Sequence, residues 1–190
     1  YTDMENSLTS SAHCTRLLPF HRAYFQTDTV EKAVTTPFEF VPQDTQEVLR
    51  EKQQHLLHSV KSRKISISYH DSRTSFLEAV FAKGDRRLGA VLLEAFRRGC
   101  YFDSWEEHFH FDIWLQVFRD MGVDPAFYAN RALSADETLP WDHLDYGVTK
   151  QYLIREYEKA MQARTTQPCN RSCAGCGANN LLGRACFDYR

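Results

Sequence analysis

The stretch KISISYHDSRTSFLEAVFAKGDRRLGAVLLEAF, residues 64–96, decides how the chain is read. Its opening residues alternate, with Ile65, Ile67 and Tyr69 on one side and Ser66 and Ser68 on the other. A period of two predicts a half-buried β-strand. The strand ends in His70, and Asp71 or Ser72 caps a helix through Phe76, Leu77, Val80 and Phe81. Polar residues at a strand's carboxyl end are where α/β barrels and open α/β sheets place their sites. That makes His70 a candidate substrate contact. Gly84 breaks the helix, and Asp85 opens another through Leu88, Val91, Leu92, Ala95 and Phe96, with Gly99 as its C′ residue. Arg86 and Arg87 then stand at the end of a helix dipole that disfavours cations. Such a local conflict points to a use beyond helix stability, the gripping of a carboxylate or phosphate. Against that stand two solvated arginines, or a salt bridge to Asp85. The candidate substrate contacts are thus His70, Asp85, Arg86 and Arg87, and no residue is assigned a catalytic role.

Working outward towards the amino terminus, Asp44 or Thr45 caps a helix to about residue 63, with an apolar stripe of Val48, Leu49, Leu56, Leu57 and Val60. PFEFV, residues 37–41, reads as a second strand. Residues 1–35 show no sustained period and read as poorly ordered. His13, Cys14 and His21, and the pair His55 and His58, lack a further ligand at a recognisable spacing and read as surface residues. Towards the carboxyl terminus, Ser104-Trp105-Glu106-Glu107 is a capping box for a helix lined by Phe109, Trp114, Phe118 and Met121. Gly122 stops it, and Asp124-Pro125 starts a short helix to about residue 133. After a turn-rich connector, Thr149 caps a last helix whose inner face is Tyr152, Leu153, Tyr157, Ala160 and Met161. The fold class expected is mainly α with one or two β-strands, α+β. So few strands cannot form a covered sheet alone. Either upstream strands complete it or the chain is effectively helical.

The segment PCNRSCAGCGANNLLGRAC, residues 168–186, holds four of the six cysteines. Cys169, Cys173 and Cys176 are spaced C-x3-C-x2-C, and Cys186 follows a Gly- and Asn-rich run. Four thiolates this close suit zinc or an iron–sulfur cluster. Gly175 and Gly177 flank Cys176 and permit the turns such a knuckle needs. Arg164, Arg171, Arg184 and Arg190 would offset thiolate charge. Disulfides or free thiols in a mobile tail are the competing readings. The spacing is that of the radical SAM cluster. Its position near the end of the chain, with Cys186 able to close the site, points instead to a structural or auxiliary centre.

A chain of 190 residues with net charge −2 fits one domain, or one domain plus a small module, and its charge neither favours nor disfavours nucleic acid. No apolar run reaches the roughly 18 residues of a membrane span. No secretory leader is visible, so a reducing cytoplasm is the expected compartment. The first residue, Tyr1, raises the expectation of a longer parent chain.

Several stretches together resemble the C-terminal third of a family of cobalamin-binding-type radical SAM proteins. They are TPFEFVPQ (36–43), SYHDSRTSFLEAVFAKGDRRLGAVLLEAF (68–96), GCYFDSWEEHF (99–109), LPWDHLDYGVTKQYLIREYEKA (139–160) and CNRSCAGCG (169–177). The resemblance implies a larger parent, with a Rossmann-like cobalamin-binding domain and a partial β/α barrel holding a cluster and S-adenosylmethionine. In that parent, residues 65–70 would be a late barrel strand and residues 76–96 helices packing the barrel's end. The chain would then divide into residues 1–35, unassigned; 36–100, the end of the barrel; 101–164, a helical extension; and 165–190, a Cys-rich metal-binding tail. The tail would hold an iron–sulfur cluster or zinc through Cys169, Cys173, Cys176 and Cys186. S-adenosylmethionine and cobalamin would bind only the parent's upstream domains, which would be this chain's partners. The cobalamin domain is not in this sequence, nor is a radical SAM cysteine motif at its place after a first barrel strand, and residues 1–35 do not look like the barrel strand that precedes TPF in the family. Hence no radical chemistry is expected of the chain by itself. Two other readings stay open: a stand-alone helical zinc-knuckle module binding RNA, and a non-functional gene remnant.

Overall fold

In the computed structural model the described residues are 36–183, apart from 63, 64 and 66. The expectations for residues 1–35, for His13, Cys14 and His21, and for Arg184, Cys186 and Arg190 lie outside them. Helix α1 spans Gln46–Ser59, and Thr45 caps it by accepting from the Val48 N–H at 3.5 Å. Only Leu49, Gln53 and Leu56 are buried on it. Val48 and Leu57, read as part of the inner stripe, are partly open to solvent, so the covered face is narrower than the apolar one.

The α+β expectation is overturned, because no β-strand occurs among the described residues. Residues 65 and 67–70 do follow one another without helix, but no neighbouring strand takes their backbone groups. A strand is a partnership, and alternation describes only one member of it. The Gln53 side chain serves instead, its Nε2 donating to the His70 carbonyl at 2.9 Å. The second expected strand is a run of turns, with Glu39 N–H donating to Thr36 O and Val41 N–H to Phe38 O, each at 3.1 Å. The expectation of a barrel remnant falls with the strands.

Helix α2, Ser72–Ala82, begins where Asp71 accepts from the Arg73 N–H at 2.8 Å. Gly84 follows its C-cap, Lys83, at a position with no room for a side chain. A Cβ there would lie 2.2 Å from Leu88 Cδ1 and 2.9 Å from the Val80 carbonyl. Helix α3, Leu88–Arg97, buries Leu88, Val91 and Ala95, and Gly99 leaves it at φ +96°. Leu92, Leu93 and Phe96 face outward.

The capping box at Ser104 does not start a helix. Residues 106–108 make a single 3-10 turn, and α4 runs Phe111–Asp120. Burial explains the later start: Phe111, Trp114, Val117 and Phe118 form one inner face, whereas residues 104–108 are exposed. Helix α5, Pro125–Ala129, is capped by Asp124, which accepts from Ala126 N–H at 2.9 Å, and stops short of residue 133. Helix α6, Lys150–Met161, is capped by Thr149 and buries only Leu153. Tyr152 and Tyr157 of its expected inner face are half-buried, and Ala160 and Met161 are exposed. Helix α7 is a short piece, Ala178–Leu182.

Helix α2 packs against α1 and α5, and α3 against α4. The main core joins α2, α3, α4 and α5 around Val80, Val91, Trp114, Val117 and Phe118. A second cluster gathers Phe40, Leu133, Leu139, Trp141 and Leu153. Residues 40–44 tie the two together: Gln43 N–H donates to Ala129 O and Leu133 N–H to Phe40 O, both at 2.9 Å. The cleft described next opens where the second cluster meets the α2–α3 turn. Among the described residues no helix is long and apolar enough to cross a membrane.

Candidate functional site

The α2–α3 turn is held by its own side chains. Asp85 accepts from the Arg87 backbone N–H at 2.9 Å, and the Arg87 guanidinium returns to the same carboxylate through Nε at 3.0 Å and Nη2 at 2.6 Å. This is the salt bridge weighed from the sequence, and it resolves the conflict of an arginine at a helix start. The Tyr128 hydroxyl on α5 also donates to Asp85, at 3.4 Å. Arg87 sits over the rings of Phe127 and Tyr128, 5.8 and 5.6 Å from their centroids.

A second arginine meets the first there. Arg131 lies 4.5 Å from the centroid of Phe127 and grips Glu137 with two bonds of 2.8 and 2.7 Å. Trp141 closes the far side, its Nε1–H donating to Glu39 at 3.3 Å. Lys83, buried below, donates to the Val41 carbonyl. These side chains surround a cleft of about 240 Å³, lined also by Leu133, Thr138, Leu139 and Pro140.

Of the four substrate contacts expected from sequence, Asp85 and Arg87 line this cleft, and His70 and Arg86 do not. The His70 side chain is exposed, on the segment held by Gln53. Sequence reading missed Arg131, Glu137 and Trp141. The available signal was the LPW motif and the DE pair before it, taken together with GDRR. The two stretches are some fifty residues apart in sequence and line one cleft.

Charge sets the acid behaviour of the cleft. The Arg87 guanidinium holds the Asp85 carboxyl below its ordinary range, and Arg131 does the same to Glu137. A carboxyl depressed in the folded state contributes stability that is present above its unfolded pKa and is lost as pH falls through the folded one. The two pairs should therefore stay ionised down to below about pH 4, the ordinary carboxyl range. In Arg131→Gln, the Glu137 carboxyl resonance should titrate at a higher pH than in the parent, read by carbon-detected NMR. An unchanged midpoint would contradict the pairing.

The cysteine loop lies along α6. Pro168 O accepts from Arg171 N–H at 2.9 Å and from Ser172 N–H at 3.4 Å, which turns the chain after Cys169. The Gly175 N–H points at Cys173 Sγ, 3.4 Å away, and the Ala178 N–H at Cys176 Sγ, 3.5 Å away. Gly175 and Gly177 adopt φ +68° and +104°, the turns expected of them. Arg155 of α6 donates to the Ala174 and Gly175 carbonyls at 3.4 and 3.3 Å, and the Thr149 N–H donates to Cys176 O at 2.9 Å. The Tyr152 hydroxyl pKa is raised, first by burial, then by Glu156, and further by Cys176 and Cys169, which places both sulfurs in its surroundings.

Cys173 is exposed and Cys176 half-buried. Among the described residues no group of three His, Cys, Asp or Glu side chains is gathered as a metal-ligand set. Cys100 belongs to a different setting. Burial in the main core, with the Asp103 charge, pushes its thiol up to about 11.

A scan against family models finds no match for the chain, and no curated protein or solved structure matches it.

Proposed function

We propose that the chain is the C-terminal helical part of a cobalamin-binding-type radical SAM enzyme, and that its cysteine loop holds an auxiliary iron–sulfur cluster or a zinc ion. The family half of the reading rests on the resemblance over residues 36–177. The metal half is carried by one observation: a backbone amide is aimed at the sulfur of each of two cysteines in a C-x3-C-x2-C loop. Amide donors of this kind offset thiolate charge and tune the potential of a bound cluster.

Cys169, Cys173 and Cys176 would supply three ligands and Cys186 the fourth, the number that either centre takes. Their donor chemistry fits. The described thiols would have to draw together on loading, as metal binding and folding are commonly coupled. The bound group would pin the loop or relay electrons. S-adenosylmethionine and cobalamin would belong to upstream domains.

Anaerobic reconstitution with iron and sulfide tests the proposal. The expected product is a brown protein that loses its colour and its bound iron in Cys173→Ser. Uptake of zinc alone would favour the RNA-binding zinc module, and uptake of neither metal would end the metal reading. The RNA alternative has one observation of its own. Tyr101, Phe102 and Trp105 are exposed in a row, with successive ring centroids 5.7 and 6.4 Å apart. Bases stack on such rings. Asp103 lies between them and Glu106 and Glu107 follow, however, and these carboxylates would repel a phosphate backbone, so this reading ranks second.

A further inference from the structure

The cleft between the α2–α3 turn and residues 137–141 has a polar side and an apolar side. On the polar side are Lys83, Arg87 and Arg131 against Asp85 and Glu137, three positive charges to two negative. On the other, Phe127 and Pro140 add exposed apolar surface, with Leu139 and Trp141 buried behind. We propose that this cleft binds a small organic anion, a flat apolar group bearing a phosphate or a carboxylate. The proposal stands on these side chains alone and does not rest on the metal reading.

The two arginines differ in a way that suits such a ligand. Arg131 is fixed, clamped by Glu137 in two bonds and stacked on Phe127. Its Nε–H is buried and has no hydrogen-bond partner among the described residues. Arg87 is held by Asp85 and lies over Phe127 and Tyr128, and its side chain is 64% exposed. Asp85 takes Nε and Nη2, so an incoming oxyanion can meet Arg87 from its open side at Nη1 without breaking that pair. The planar guanidinium matches phosphate and carboxylate oxygens in pairs. Phe127 lies under both guanidinium groups, so a ligand bridging them would lie beside its ring. At about 240 Å³ the cleft is smaller than the roughly 300–1,000 Å³ of drug-sized sites. Its occupant is therefore a compact molecule of about one ring and its anionic group. A neutral ring would forgo the arginines, and a bare anion would forgo the apolar wall.

The full chain should be titrated with phenyl phosphate, benzoate, inorganic phosphate and benzyl alcohol, following the Trp141 indole N–H by NMR. A saturable shift with phenyl phosphate or benzoate is expected, and the tighter of the two identifies the head group. Inorganic phosphate and benzyl alcohol should each bind at least about tenfold more weakly. Arg87→Gln, a change at an exposed site that leaves the core untouched, should weaken the aryl anion by about tenfold. Arg97→Gln, an exposed arginine on α3 that does not line the cleft, should leave it unchanged. No saturable shift with either aryl anion would overturn the proposal, as would equal binding by the parent and Arg87→Gln.

Discussion

Replacing Phe118 by alanine should lower the unfolding free energy by about 3–5 kcal/mol, while replacing Phe96 by serine should change it by less than about 0.5 kcal/mol. Both residues come from apolar helices, and the sequence pattern alone treats them alike. Phe118 is 1% exposed, with ring centroids 6.4 Å from Phe81 and 6.3 Å from Trp114. The other members of its core include Val80, Val91 and Val117, all fully enclosed. Those short branched side chains cannot reach into the space a lost ring leaves, so the cavity persists and its cost adds to the lost transfer energy. Domains of this size hold roughly 5–15 kcal/mol in total, and the variant would forfeit a large part of that. Phe96 is 61% exposed beside Tyr101, with water already on most of its ring. Urea denaturation followed by circular dichroism reads both values. A Phe118→Ala cost under about 1 kcal/mol would mean that the main core is loosely packed. A large loss in Phe96→Ser would mean that something covers this outer face of α3 in solution.

What the sequence made legible was local. Asp124 and Thr149 cap the helices they were expected to cap, and Thr45 and Asp71 fill the places left open between Asp44 and Thr45 and between Asp71 and Ser72, because a cap is a bond between residues two or three apart. Gly99 turns where expected for the same reason. The strand at residues 65–70 failed because pairing needs a partner far along the chain, and alternation cannot report whether one exists. The inner faces of α3 and α6 failed differently. An apolar stripe says which residues could be covered, and Leu92, Phe96 and Met161 show that covering is decided by what packs there. The cleft was half legible. Arg86 and Arg87 were flagged by a conflict with their own helix, and of the two only Arg87, with Asp85 beside it, lines the cleft; Arg131, Glu137 and Trp141 carry no such conflict, and tertiary packing alone brings them to the same place.

Gly177→Val should free the cysteine loop from α6 without unfolding the helical body. Gly177 sits at φ +104°, ψ −14°, where a β-branched residue is a severe outlier. Its missing Cβ faces two further obstacles, Thr149 Cγ2 at 2.8 Å and the Gly147 carbonyl at 3.0 Å. The second is backbone and cannot swing away. Relief comes from letting go of the contact nearby, the bond from Thr149 N–H to Cys176 O at 2.9 Å. Helix α6 survives that loss, since the Thr149 hydroxyl still accepts from Tyr152 N–H at 3.3 Å.

Backbone strain of about 1–3 kcal/mol corresponds to a shift of roughly 5–150-fold in the opening of the loop. Iodoacetamide labelling with mass spectrometry should show it. In the parent the half-buried Cys176 should react more slowly than the exposed Cys173, and in Gly177→Val the two rates should converge. Gly183→Ala is the control, because Gly183 also has a positive φ, +63°, but open space around its Cβ. A Cys176 rate that stays low in folded Gly177→Val would show that the loop does not depend on this contact. If the rate rises and iron uptake falls with it, the geometry that docks the loop is also what brings its sulfurs to a metal. If the rate rises while iron uptake is unchanged, the metal assembles its own loop and needs no help from α6.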